Sequence, residues 1–160
     1  LNGVAAGGGF QMALVSDQRV AHPGTRMGQP EINASIPSIM GSYWMSLHLG
    51  WSRNQDLSMT GRLLGADEAR EWGLINHLYP KEDLMQKARD LADLLASGPP
   101  LVYAAIKEVV REAEDMKFQD CLNKITQSQF ETVERLYTSE DQLEGARAFA
   151  EKRDPIWKGK

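Results

Sequence analysis

The sequence predicts an α/β fold in which a first half of mixed strands and helices is followed by a helical second half. In the first half, short apolar runs alternate with turns that contain glycine and proline. From Glu82 onward the composition changes to helix-forming residues with apolar side chains at helical spacing. We place the boundary near Pro80, which gives a region 1–80 with the α/β core and a helical region 81–160.

Local patterns assign the elements of each half. Ser38 has the position of a helix N-cap, Ser52 with Gln55 has the form of a capping box, and Ser139 with Gln142 has the same form. In the first half the patterns predict strands at 1–6, 18–21 and 74–79, and helices at 8–16, 38–49, 52–61 and 66–72. In the second half they predict helices at 82–97, from 99–100 to about 113, at 118–136 and at 139–151.

Composition excludes several classes of protein. Among 160 residues, 18 basic and 22 acidic side chains give a net charge of −4, and no basic stripe interleaved with aromatic residues is present, so nucleic acid is not an expected partner. No apolar run has the length of a membrane span. A single cysteine, Cys121, rules out an internal disulfide framework and fits a reducing compartment. The three histidines have no ligand-spaced neighbours, so no metal site is expected.

The run Gly7-Gly8-Gly9 at the start of a predicted helix is the first candidate for chemistry. Glycine exposes its backbone amide, and the first amides of a helix lack partners and are positively polarised. An oxyanion would be stabilised at such a junction. Two other interpretations are close packing of a strand on a helix and a phosphate-binding loop, although the Gly-x-Gly-x-x-Gly spacing of a dinucleotide loop is not cleanly present.

Glu31 is the second candidate. It follows Pro30, which restricts the chain beside it, in a segment with apolar flanks. A carboxylate in this setting is a candidate general acid or base. The alternative is a loop carboxylate that pairs with Arg26 or caps a helix.

Several motifs, in order along the whole chain, resemble the enoyl-CoA hydratase/isomerase (crotonase) family. The tail, from Phe149 to Gly159, is especially similar to the carnitinyl-CoA dehydratases of that family. The motifs that carry the resemblance are Asn2-Gly3-x-Ala5-x-Gly7-Gly8-Gly9-Phe10, Asp17 in the strand after the helix, Gly28-Gln29-Pro30-Glu31, Ile36-Pro37, Met59-Thr60-Gly61-Arg62, Ala66-x-Glu68-Ala69, Trp72-Gly73-Leu74-Ile75, Glu144-Gly145 and Ala148-Phe149-Ala150-Glu151-Lys152-Arg153.

The resemblance implies a crotonase-like ββα spiral core, here partial because its amino-terminal strands are missing, followed by a carboxyl-terminal helical region. In that family the helical region builds homotrimers, often paired into hexamers, and contacts coenzyme A. We therefore expect this chain to be the carboxyl-terminal part of a longer, cytoplasmic protein, with any targeting segment beyond assessment. We also expect the isolated 160 residues to be poorly soluble or to associate, because a sheet edge and an apolar face would be exposed.

The resemblance also assigns catalytic roles. Gly8 corresponds to one of two oxyanion-hole amides, whose partner lies in the preceding part of the family's fold, and Glu31 corresponds to a catalytic glutamate. Hydratases of the family carry a second glutamate where this chain has Gln11, and glutamine can orient a water but cannot accept and return a proton. Hydration or dehydration of an enoyl-CoA with a single glutamate base and double-bond isomerisation both stay open. A non-catalytic acyl-CoA binder or oligomer scaffold is the alternative of another class.

Further residues are candidates for contact with the acyl-CoA substrate, and no metal or redox cofactor is implied. Ser38 stands where some relatives carry an aspartate, which excludes an aspartyl nucleophile there. For the tail, the alternative to coenzyme A contact is a solvated basic end. The candidate binding residues are Gly7, Met27, Pro37, Ser38, Phe149 and Lys152.

Overall fold

The computed structural model describes all residues from Leu1 to Lys160 and divides into two compact units. The first unit comprises Leu1–Leu91 and the second Ala92–Lys160. The division therefore falls inside a helix, eleven residues after the Pro80 at which the composition changes.

Five short strands form two small sheets in the first unit. In the three-stranded sheet, β1 (Val4–Ala6) pairs in parallel with β3 (Arg26–Gly28), which pairs antiparallel with β4 (Leu63–Gly65). In the second sheet, β2 (Val20–Ala21) runs parallel to β5 (His77–Leu78). The patterns did not predict β3 or β4, because three residues are too few to show an alternation.

Four α-helices of the first unit lie close to their predicted positions, and the unit also contains a 3₁₀ helix that the patterns did not predict. In chain order, these helices are α1 (Gly8–Leu14), the 3₁₀ helix (Pro30–Ala34), α2 (Ile39–His48), α3 (Trp51–Thr60) and α4 (Ala66–Glu71). The predicted capping box at Ser52 is wrong, because α3 begins one residue earlier with Gly50 as its N-cap. Asp17, predicted in a strand, lies in the bend that follows α1.

One core joins the sheet to the helices. Its apolar side chains come from the strands and from helices α1 to α4, and Phe10 on α1 has no exposed surface. Other large apolar side chains at 0 % exposure include Met27 on β3, Leu64 on β4, Met45 on α2, Leu57 on α3 and Leu74. Phe10 packs into this core three residues after Gly7, and this packing fixes the position of the glycine turn.

Two polar side chains, those of Arg19 and His48, contact carbonyl groups at the carboxyl end of α1. Arg19 is 7 % exposed and donates from Nη1 to the carbonyls of Ala13 and Ser16, at 3.2 and 2.6 Å, and from Nε to that of Leu74 at 2.6 Å. Nε2 of His48 lies 2.8 Å from the carbonyl of Leu14. These contacts satisfy carbonyls that a helix end leaves without partners. Burial lowers the pKa of Arg19.

The second unit is helical. It contains the end of α5 (Leu84–Ala96), then α6 (Pro100–Ala113), α7 (Phe118–Thr126), α8 (Glu131–Tyr137) and α9 (Glu140–Glu151). A single helix over 118–136 was wrong: the chain breaks after α7, where Ser128 has a φ of 56° and Phe130 is 1 % exposed. The capping prediction at Ser139 is confirmed, since its hydroxyl accepts from Gln142 N at 3.1 Å.

Polar contacts hold the tail against α9. The buried carboxylate of Asp141 accepts from the backbone amides of Lys158 and Gly159, at 2.7 and 2.9 Å. Arg153 donates from its two terminal nitrogens to the two oxygens of Glu144, at 2.6 and 2.9 Å. The last residues are therefore ordered by specific hydrogen bonds.

Candidate active site

The glycine turn and Glu31 meet because β1 and β3 are parallel neighbours. Ala6 at the end of β1 is opposite Gly28 at the end of β3, so the residues that follow both strands lie at one sheet edge. Gly7 follows β1, and its amide donates to the carbonyl of Gly28 at 3.0 Å. Glu31 follows β3 in the 3₁₀ helix.

Gly7 has a backbone conformation that requires glycine. Its φ is 54° and its ψ is −122°, and a Cβ there would lie 3.1 Å from Oε1 of Glu31. The turn leads directly into α1, whose first residue is Gly8. The Gly8 amide has no helical acceptor because the helix begins there, and the space beside its Cα is open.

Three uncharged side chains surround the carboxylate of Glu31. Ser38 Oγ lies 3.3 Å from Oε1, within donating distance. Gln11 Nε2 lies 3.5 Å from the same oxygen and 3.3 Å from Ser38 Oγ. The third is Gln29. Glu31 forms no ion pair, so the interpretation of this residue as a partner of Arg26 is not supported.

Gln29 makes the shortest contacts with Glu31. Its amide is assigned so that the nitrogen faces the carboxylate, 2.7 Å from Oε1, 2.8 Å from Oε2 and 2.5 Å from Ser38 Oγ, and its two N–H groups are shared among these three acceptors. The opposite assignment of the amide would set its oxygen against both carboxylate oxygens, which cannot donate. The sequence patterns do not single out Gln29, although it lies inside the Gly28-Gln29-Pro30-Glu31 motif, because a glutamine gives no signal of its own.

The remaining candidate binding residues have different environments. Pro37 and Ser38 line a groove together with Gln29 and the exposed Ile32, Ile36 and Ile39. Met27 instead lies fully buried in the core. In the second unit, Phe149 is 89 % exposed on α9, and Lys152 caps the same helix with a φ of 55°.

An ion-pair cluster of three residues lies elsewhere in the first unit. Arg62 contacts the carboxylates of Asp56 and Glu68, at 2.5 and 2.8 Å, and lies 5.3 Å from the centre of the Trp72 ring. These hydrogen bonds raise the pKa of Arg62 and lower that of Glu68. The structure contains no group of three His, Cys, Asp or Glu side chains that could hold a metal ion. None of its helices is long and apolar enough to cross a membrane.

The glycine turn places the first amide of a helix beside a carboxylate. Sites of this class can stabilise an oxyanion with the amide while the carboxylate transfers a proton. The family model for enoyl-CoA hydratase/isomerase matches residues 1–160. The chain therefore belongs to the enoyl-CoA hydratase/isomerase family, and its fold is the α/β crotonase fold.

Individual relatives agree with this assignment. A carnitinyl-CoA dehydratase from Escherichia coli K12 is 37% identical over 161 residues, which cover 100% of this chain and 62% of the relative. An enoyl-CoA hydratase subunit I from Geobacillus kaustophilus superposes with a TM-score of 0.89 at 37% identity, over 99% of this chain and 61% of that one. An enoyl-CoA hydratase from Bacillus anthracis gives a TM-score of 0.89 at 31% identity, over 99% and 60%. The chain thus spans about three fifths of these relatives.

Proposed function

We propose that this chain carries half of the active site of an acyl-CoA-processing enzyme that hydrates or dehydrates enoyl-CoA thioesters. The observation that supports the proposal most strongly is that Glu31 lies against the Gly7 turn and is held by uncharged donors only. A carboxylate without a cationic partner is free to accept a proton. The adjacent Gly8 amide is available to a developing oxyanion.

In the dehydration direction, Glu31 removes the proton from the carbon next to the thioester carbonyl. The carbonyl oxygen becomes an enolate oxygen that accepts a hydrogen bond from Gly8 and from a second donor in the preceding part of the protein. The enolate electrons then form the double bond as the C3–oxygen bond breaks. The Glu31 carboxyl returns its proton to the departing hydroxide, so water leaves and the carboxylate is regenerated. No metal or redox cofactor takes part.

Gln11 favours a second candidate, double-bond isomerisation. Its amide faces Glu31 at the position where a second carboxylate would serve to activate water. With one carboxylate, the simplest reaction moves one proton between the α and γ carbons while the same amide stabilises the enolate. In both reactions we propose an acyl-CoA substrate and a homotrimer or hexamer, with Phe149 and Lys152 contacting coenzyme A.

Turnover in heavy water separates these candidates. The complete protein that carries this sequence is incubated with 2-enoyl-CoA, 3-enoyl-CoA and carnitinyl-CoA, the last because of the name of the Escherichia coli relative. Hydration or dehydration supports the first candidate. Double-bond migration with deuterium at the α or γ carbon supports the second, and binding without turnover or exchange across all acyl groups supports a non-catalytic acyl-CoA binder.

The Glu31→Gln variant tests the proposed base. We expect kcat to fall by about 10²–10⁴-fold, because a general base contributes about that much, with little change in melting temperature. Glu71→Gln is the matched control, since this exposed glutamate on α4 lies outside the site. Full activity of Glu31→Gln would show that another group carries the proton.

A further inference from the structure

We infer that Gln29 is a positioning residue that fixes the orientation of the Glu31 carboxylate, and that Gly41 provides the space in which the Gln29 side chain lies. The inference rests on the proposed function of Glu31. It adds two residues to the Glu31 site: Gln29, which follows β3, and Gly41, which lies in α2.

The contacts of Gln29 differ in kind from those of the other donors. Gln11 and Ser38 reach only Oε1 of Glu31, at 3.5 and 3.3 Å. The Gln29 amide reaches both oxygens, at 2.7 and 2.8 Å. A donor shared by both oxygens restricts rotation of the carboxylate plane, whereas a donor to one oxygen restricts only distance. Hydrogen bonds to an ionised acceptor are also stronger than those between neutral groups.

The Gln29 side chain is itself held in place. It is 1 % exposed, which is unusual for glutamine, and an amide buried without partners would be costly. The contacts with Glu31 and Ser38 satisfy its nitrogen. Because almost none of its surface is exposed, the side chain has little room to move, and the amide cannot leave the carboxylate without losing these bonds.

Gly41 makes this burial possible. A Cβ at Gly41 would lie 2.5 Å from Cδ of Gln29 and 2.6 Å from Oγ of Ser38, both far inside van der Waals contact. Glycine within a helix costs about 1 kcal/mol relative to alanine. The helix α2 therefore carries a locally unfavourable residue at the point where two side chains of the Glu31 network need room.

Orientation matters to the proposed step because the carboxylate must take a proton from carbon in one fixed direction. Displacement of a reacting group by about 1 Å can cost about 10²-fold in rate. Substrate affinity depends on other contacts. A positioning role therefore predicts a loss in kcat with KM preserved, while general damage to the fold would lower the amount of active protein and the melting temperature.

The first test replaces Gln29 in the complete protein. Gln29→Met keeps length and removes the donor, and Gln29→Glu places a carboxylate against a carboxylate. We expect kcat to fall roughly tenfold to hundredfold in the first variant and further in the second, with KM changed less than about twofold. Asn54→Leu is the control, because Asn54 is a buried amide at 4 % exposure that bonds Ser42 and Ser58 instead. It should lower the melting temperature and leave kcat unchanged.

The second test uses Gly41→Ala, which leaves Gln29 in the chain but displaces its amide. If both residues act through one contact, their effects on kcat are not additive, and Gly41→Ala combined with Gln29→Ala is no slower than Gln29→Ala alone. Additive losses, or unchanged kcat in folded Gln29→Met, would overturn the inference even where Glu31→Gln is inactive and the proposed function therefore stands.

A readout without turnover keeps the inference testable if no substrate is found. The side-chain amide of Gln29 gives a pair of NMR signals that we expect to be shifted and slow in exchange through the bond to the carboxylate. Glu31→Gln should move these signals, and the Asn54 amide signals should stay in place. Gln29 signals that do not respond to Glu31→Gln would contradict the contact itself.

Discussion

Two glutamates, Glu31 in the first unit and Glu144 in the second, are held by opposite kinds of partner. Glu144 receives two hydrogen bonds from Arg153 and one from the backbone amide of Ile156. The Arg153 hydrogen bonds lower the pKa of Glu144 to about 2. Glu31 is surrounded by two amides and a hydroxyl with no ion pair.

The difference separates a carboxylate that is paired with a guanidinium and holds the tail from one that we propose takes part in chemistry. A guanidinium binds a carboxylate strongly and stabilises its charge, which suits a glutamate that holds the tail. Amide and hydroxyl donors orient a carboxylate without adding a full charge beside it. Orientation and charge stabilisation are therefore supplied separately, and the following predictions test that separation.

The largest effect is expected when Glu31 is given a cation. Gln11→Lys places an ammonium near Oε1, and a charge pair at about 4 Å is worth about 4 kcal/mol at an effective dielectric constant of 20. The charged carboxylate would be stabilised against accepting a proton. We expect kcat to fall roughly hundredfold or more. Gln11→Met removes the amide without adding charge, and an equal loss in that variant would mean that charge is not the cause.

A smaller loss is expected from Gly7→Ala. The φ of 54° is unfavourable for alanine, and its Cβ would lie 3.1 Å from Glu31 Oε1. We expect about 1–3 kcal/mol lower stability together with a decrease of about tenfold in kcat. Gly73→Ala is the matched control, with a φ of 80° and open space around its Cα. It should lose stability and keep kcat, as measured by thermal unfolding and steady-state assays.

Glu144, which is paired with Arg153, should contribute to the dependence of stability on pH under acidic conditions. The pKa of Glu144 is lower in the folded protein than its ordinary value of 4.5, so the unfolded chain binds more protons in this range. Its contribution is present above about pH 4.5 and is lost as the pH falls toward 2. Glu144→Gln should therefore flatten the decrease in melting temperature across this window and leave turnover at neutral pH unchanged. Parallel curves for both proteins would contradict the prediction.

The smallest effect is expected on the exposed face of α9. Phe149→Ala should leave stability within about 0.5 kcal/mol, since the side chain is exposed, and raise KM for acyl-CoA substrates a few-fold if the ring packs on the coenzyme. Leu143→Ala, another exposed apolar position on α9, is the control. A change in kcat without a change in KM would argue against coenzyme A contact.

Elements with long periodic patterns could be predicted from the sequence. The apolar stripes of α5 and α6 and the N-cap of α9 are local properties. The start of α1 and both ends of α3 follow from the glycines beside them. The family resemblance of the motifs is confirmed by the match over residues 1–160.

Features that depend on distant contacts were missed. β3 and β4 consist of three residues each and exist through pairing with one another. The break between α7 and α8 follows from burial of Phe130. Gln29 could not be selected, because its contacts depend on the place where parallel strands end and on the space at Gly41. The Gly28-Gln29-Pro30-Glu31 motif indicated where the site lies, but it did not indicate which side chains surround Glu31.

The Ser38 hydroxyl is placed where it could cap helix α2, but it contacts Glu31 instead. Ser38 occupies the N-cap position of α2, yet its side chain makes no capping bond and turns toward Gln29 and Glu31. A cap of this kind is worth about 1 kcal/mol to a helix. Selection for thermal stability alone would therefore favour a side chain at position 38 that forms the missing capping bond with α2. Such variants would lose the hydrogen bond from position 38 to Glu31.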